Sequence, residues 1–160
     1  QKQKIIKKSF PQKTFDYFYE AAGPGCTYVF STRTFEAVKA FITQNYYSCK
    51  DITQHDWLIY AFCRQNGFTW FIDDIPQMLY RQHSQNEFGA NNNLKNYFKR
   101  INLIKNNWYK NQISRISSLV LGHTEKKFVK RSFLVRNLLE VRRRPRDRVA
   151  FLFFIITGLF

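Results

Sequence analysis

The stretch GPGCTYVFSTRTFEAVKAFITQ, Gly23 to Gln44, decides the fold class. Tyr28 to Ser31 reads as a short buried strand entered through Gly23-Pro24-Gly25, a turn whose glycines allow positive φ or the close approach of another group. Thr34 to Gln44 then sets Phe35, Val38, Phe41 and Ile42 on one helical face, with Ser31 or Thr32 as its cap. A strand feeding a helix is α/β grammar, and an α/β domain is the expectation.

On the N-terminal side, Lys2 to Lys13 is a basic, Pro-broken lead-in, and the aromatic FDYFY of Phe15 to Tyr19 carries no clear period. On the other side a second helix is expected from Thr53, where Thr53-x-x-Asp56 has capping-box spacing, through Trp57, Leu58, Tyr60 and Ala61 to a stop at Gly67. Phe68 to Ile72 (FTWFI) reads as a strand, Asp73-Asp74 as a turn, and Gln77 to Arg81 as an extended segment that Pro76 confines to an edge. Gln82 to Asn93 is an Asn- and Gln-rich loop. Leu94, Tyr97, Ile101, Ile104, Trp108, Ile113, Ile116 and Leu119 recur at helical spacing up to Gly122, one long or broken amphipathic helix. Phe128 to Arg144 predicts another, with Leu134, Leu138 and Val141 as its stripe, and no internal repeat is visible.

The 26 Lys and Arg against 11 Asp and Glu leave a net +15, and the excess is lopsided. Gln1 to Leu94 carries 10 basic and 8 acidic residues, Lys95 to Phe160 16 basic and 3 acidic. We therefore divide the chain into a domain over residues 1–93 and a basic helical tail over 94–160. At 44% apolar and 18% aromatic the chain can bury a core, which excludes intrinsic disorder. Cys26, Cys49 and Cys63 match neither zinc nor Cys-x-x-Cys spacing and read as three reduced thiols. The run Val149 to Phe160 has 12 residues where a spanning helix needs about 20, so it reads as touching a membrane without crossing it. There is no secretory signal core, and with Gln1 first and Met78 the only methionine the sequence reads as a piece of something larger or a processed product.

Two clusters carry chemistry-bearing side chains. Asp56, between His55 and Trp57 at a predicted helix start, has backbone N–H donors nearby that keep a carboxylate ionised and fixed in direction, as a proton acceptor requires. The plainer reading on spacing alone is the cap of its own helix, with His55 and Trp57 as residues that line a cleft or simply pack. Tyr80-Arg81-Gln82-His83 puts a guanidinium suited to phosphate and an imidazole suited to a divalent metal at alternate positions of an extended segment. The plainer reading is a surface Arg and His at a strand end. Asp73-Asp74 resembles a metal dyad only weakly.

Taken in order, Gly23-Pro24-Gly25-Cys26, then His55-Asp56-Trp57, then FIDDIPQMLYRQHSQNEFGA from Phe71 to Ala90 resemble the C-terminal half of a bacterial family 2 glycosyltransferase. The subgroup is the one with rhamnosyltransferases and other enzymes of O-antigen and capsule assembly, and the likeness runs from about Phe15 to Ala90 and loosely into the tail. It implies a GT-A fold and inverting transfer of a sugar from a nucleotide-diphosphate donor to a glycan or lipid-linked acceptor, assisted by Mg²⁺ or Mn²⁺. Asp56 then becomes the general base, His83 a metal ligand and Arg81 a diphosphate neighbour, with Gly25, Cys26, His55 and Trp57 around the sugar and acceptor. The family's nucleotide-binding strands and Asp-x-Asp motif have no counterpart before Gly23, so these residues are expected to be a fragment that is inactive without an upstream half.

A competing reading is a nucleic-acid-binding module, since the basic tail interleaves Tyr, Phe and Trp, although no RNA or DNA motif is present. An inert helical interaction domain leaves both clusters unexplained. Charge and terminal apolarity together favour a protein resting on the cytoplasmic face of an anionic membrane, with Phe151, Leu152, Phe154 and Ile155 dipping into it.

Overall fold

The computed structural model describes residues 5–79 and 102–160. Helix α1 (Thr32–Gln44) begins two residues before the expected Thr34, on the expected Ser31 cap, whose hydroxyl accepts the Thr34 N–H at 3.3 Å. The single turn α2 (Tyr46–Cys49) leads to α3 (His55–Gln65), the central helix. The start of α3 lies beyond the predicted Thr53: the Thr53 N–H is taken by Gln112 Oε1 at 3.2 Å, and Gln54 becomes an N-cap with no side-chain bond. Its end is as predicted. Gly67 adopts φ +73°, letting its N–H reach the Arg64 carbonyl at 3.3 Å while the Phe68 N–H reaches that of Cys63 at 3.0 Å, a Schellman closure.

Residues 102–105 are helical, and Asn107, with φ +55°, breaks the path before α4 (Trp108–Leu121), which ends on Gly122 at φ +73°. The predicted Phe128–Arg144 helix is replaced by three pieces: a 3-10 turn at Lys127–Val129, the short α5 (Arg131–Arg136), and turns that follow it. The break has a local cause. The Asn137 side chain donates to the Phe133 carbonyl at 2.9 Å, and the Glu140 carbonyl accepts the Phe15 N–H at 3.1 Å, so the backbone leaves the helix to pair with the lead-in. Helix α6 (Pro145–Ile156) opens on Pro145, where a missing N–H costs nothing.

The expected strands do not form among the described residues, all of whose regular elements are helices. Tyr28 to Phe30 and Phe68 to Ile72 are irregular, and Val29, predicted to be buried, is 94% exposed. Tyr28, Phe30 and Trp70 nevertheless turn inward together, with ring centroids 4.8 Å (Tyr28–Trp70) and 6.0 Å (Phe30–Trp70) apart, while Val29 and Phe71 point outward. Side chains therefore alternate as in a strand, but no ladder joins the segments.

The region read as a tail closes the core of the domain. Phe18, Tyr19 and Trp57 pack in one cluster with Ile113, Ile116, Leu134, Val141, Phe151 and Ile155. Phe151 and Ile155 are 3% and 0% exposed, and Leu152 and Phe154 are half-buried, which corrects their placement in a membrane. Full burial of one such side chain contributes roughly 1.5–3 kcal/mol, a strong reason to face inward.

The Arg142–Arg144 run is likewise not simply a solvated basic face. Asp16, fully buried, receives Tyr60 Oη at 3.0 Å on one oxygen and Arg64 Nη1 at 3.2 Å on the other, with Arg143 Nε 3.2 Å away. Arg143, 3% exposed, also donates its backbone N–H to Glu20 at 2.7 Å and lies 3.4 Å from the second Glu20 oxygen. The Arg148 guanidinium donates to the carbonyls of Arg142 and Arg143 at 2.7 and 3.0 Å. This junction ties the first 3-10 turn, Asp16–Phe18, to α3 and to the chain leading into α6.

Candidate active site

The start of α3 meets the Gly23–Tyr28 loop. Pro24 holds an extended backbone (φ −64°, ψ 133°) that leads into the 3-10 turn Gly25–Thr27, and the Thr27 hydroxyl closes the turn on the Pro24 carbonyl at 2.7 Å. This brings Gly25 against the helix so closely that a Cβ there would lie 3.0 Å from His55 Nε2 and 3.1 Å from Asp56 Cβ. The close approach anticipated for this glycine is thus made to His55 and Asp56.

Tyr28 locks the arrangement, and sequence reasoning gave it no such part. Its hydroxyl is 3.1 Å from the Gly23 carbonyl and 3.3 Å from that of Asp56, and it receives the Gly23 N–H at 3.4 Å. Burial pushes the phenol well above the usual tyrosine range and the Asp56 charge adds to the effect, so Tyr28 stays protonated and acts as a donor. No local spacing announces this role, because the bond to the Asp56 carbonyl joins residues 28 positions apart, with α1 and α2 between them.

Asp56 occupies the first turn of α3, partly exposed, with its Oδ1 accepting the Trp57 N–H at 2.9 Å. His55 is exposed beside it, and Cys26 is an exposed free thiol on the facing loop. Buried Cys63, by contrast, has its thiol pushed up to about 11 by desolvation. Gly25, His55 and Asp56 therefore share one patch of surface. Trp57 lies beneath it: 2% exposed, it donates Nε1–H to the Tyr17 carbonyl at 2.9 Å and stacks on Tyr109 at 5.6 Å. It packs rather than lines a cleft.

Arg81 and His83 lie outside the described residues. Among the described residues no group of three or more His, Cys, Asp or Glu side chains is placed to hold a metal ion, so His55 and Asp56 do not by themselves make a metal centre. What the patch presents is an oriented carboxylate at a helix start, faced by a loop held by one phenol.

Comparison with known proteins agrees with the likeness read in the motifs. The chain is 37% identical over 165 residues to a dTDP-rhamnosyl transferase, RfbG, of Shigella flexneri, an alignment covering 99% of this chain and 57% of that relative. The resemblance thus extends across the basic region, and the chain spans a little over half of the relative's length. No family model matches, and no solved structure does.

Proposed function

We propose that the chain is the acceptor-side part of an inverting glycosyltransferase that moves a sugar from a nucleotide-diphosphate donor to a glycan or lipid-linked acceptor in cell-surface polysaccharide assembly. The observation that carries the proposal is the 37% identity along 99% of the chain to a protein named for dTDP-rhamnosyl transfer, which makes dTDP-rhamnose the donor of choice. In this reading the other oxygen of Asp56 takes the proton of the acceptor hydroxyl as that hydroxyl attacks the anomeric carbon, and the bond from that carbon to the diphosphate oxygen breaks with its electron pair, so the nucleoside diphosphate leaves from the opposite face. The Trp57 N–H keeps the carboxylate aimed, and Gly25, Cys26 and His55 border the sugar. Arg81 and His83 belong to the same proposal as diphosphate neighbour and ligand of Mg²⁺ or Mn²⁺.

The GT-A assignment is also part of the proposal. The alternation of Tyr28, Val29 and Phe30, and of Trp70 and Phe71, supports it: these segments have strand-like faces that a neighbouring strand from the rest of such an enzyme would pair. The enzyme would act at the cytoplasmic face of a membrane. No helix among the described residues is long and apolar enough to cross one.

The test is Asp56→Asn in the full-length protein, assayed for rhamnosyl transfer from dTDP-rhamnose. Loss of a general base typically lowers the rate about 10²–10⁴-fold. Transfer at near wild-type kcat would return Asp56 to a structural role.

A further inference from the structure

Helix α6 has two apolar faces, and among the described residues only one is packed. Phe151 and Ile155 point into the core, while Val149, Phe153 and Ile156 are 71%, 60% and 62% exposed. Spacings of four and three residues place these three on one stripe, and Arg146, three residues before Val149, extends it at its N-terminal end. The Arg146 side chain is 73% exposed, its partner Asp147 lying 3.7 Å away and itself 40% exposed. At the other end, Arg131 Nη2 reaches the Ile156 carbonyl at 3.5 Å. An outward row of valine, phenylalanine and isoleucine thus has a guanidinium at each end.

We propose that this stripe is the surface by which the protein docks on an anionic lipid bilayer, α6 lying in the plane of the interface. The inference rests on the reading of the chain as part of a transferase with a lipid-linked acceptor, and it names the face that meets the membrane. The 12 residues of α6 extend about 18 Å, too short to span a hydrocarbon core of about 30 Å but suited to lying along it. Helices bound in this way bury an apolar face among the headgroups while arginines pair with lipid phosphate. The charge complementarity selects the occupant: the exposed Lys130, Arg131, Arg136 and Arg146 of this region oppose a cationic partner and favour a surface dense in phosphate. Nucleic acid shares the phosphate but offers no apolar layer to receive Phe153 and Ile156.

The experiment is cosedimentation of the 160-residue chain with vesicles of phosphatidylglycerol mixed with phosphatidylcholine, and of phosphatidylcholine alone, at low and high salt. Wild type is expected to favour the anionic vesicles and to lose affinity as salt rises, because screening shortens the reach of the arginines from about 8 Å at physiological salt to about 3 Å at 1 M. The triple variant Val149→Ser, Phe153→Ser, Ile156→Ser should keep the wild-type circular dichroism and bind at least about tenfold more weakly; a factor of ten is about 1.4 kcal/mol, less than one fully seated phenylalanine contributes. Arg131→Gln with Arg146→Gln should reduce the preference for anionic lipid. Equal binding by wild type and triple variant, tight binding to oligonucleotide without vesicle binding, or self-association that the triple variant abolishes while vesicles are ignored would each overturn the proposal. Asp56→Asn must bind vesicles like wild type, so a failed transfer assay and a failed docking assay remain separate results.

Discussion

Two aspartates sit close to helix α3 and are treated in opposite ways. Asp16 is fully buried, with Tyr60, Arg64 and the Lys13 N–H bonded to its oxygens and the Arg143 guanidinium within ion-pair distance. Asp56 is partly exposed and is held through one oxygen by the amide of the next residue. A carboxylate surrounded by donors on every side fixes distant segments in place and has no lone pair to spare. One that is oriented but incompletely surrounded can still accept a proton. Partner count therefore separates a structural acid from a catalytic candidate where residue type does not.

The contrast is broken most directly by exchanging the charges. Asp16→Asn leaves Arg143 buried without its full counter-charge, and removal of one member of a buried pair costs roughly 3–5 kcal/mol. Urea unfolding should show the loss. Asp56→Asn in the same assay should move stability by no more than about 0.5 kcal/mol, as expected for a surface substitution. Similar losses for both would erase the distinction.

The junction also has a pH signature. Glu20 is desolvated, which alone would raise its carboxyl, but Arg142 and Arg143 with the Arg143 hydrogen bonds outweigh burial and hold it below the usual glutamate range. A carboxyl depressed in the folded state contributes stability above its unfolded value, about 4.3, and loses it as pH falls through the lower folded value. The advantage of wild type over Glu20→Gln should thus be full at pH 6–7, roughly the 1.5–3 kcal/mol typical of a charged hydrogen bond, and shrink progressively below about pH 4.3. A gap between the two proteins that ignores pH would assign the effect to shape instead of charge.

The sequence made α1, its Ser31 cap, the Gly67 and Gly122 stops and the inward stripe of Leu134 and Val141 legible, because each depends on neighbours within one or two turns. It did not disclose the Asp16 junction. Its partners Arg64 and Arg143 lie 48 and 127 positions away, and the one hint was an acid inside the aromatic run FDYFY, where an unpaired charge would be costly. The division of α6 into a buried and an exposed apolar face was hidden for a related reason: an apolar run shows that faces exist, not which of them is covered. The strands are read from short apolar runs beside turn residues, but a strand is completed by a partner, and among the described residues none pairs with Tyr28 to Phe30 or Phe68 to Ile72. For the site, Gly25, His55 and Asp56 come together as the motifs suggested, whereas Trp57 lies beneath them and Tyr28 went unnoticed.

The mildest expected effect tests the exposed side of the comparison through Gly25. An alanine methyl would meet His55 Nε2 at 3.0 Å and Asp56 Cβ at 3.1 Å, so the loop or the start of α3 must yield by a few tenths of an ångström. The junction at Asp16 is tied down by long-range bonds and would not follow, so thermal stability should change by only a few degrees, about 1 kcal/mol for a chain of this size. Catalysis is less forgiving, since a displacement near 1 Å costs about 10²-fold, and the smaller shift expected here should lower kcat of the full-length enzyme about three- to tenfold. The second substitution His55→Ala separates the two contacts. It removes the ring but leaves the methyl against Asp56 Cβ, so the Gly25→Ala defect, measured against His55→Ala alone, should persist in the double variant. If it disappears, the histidine ring carries the effect and the loop does not position Asp56.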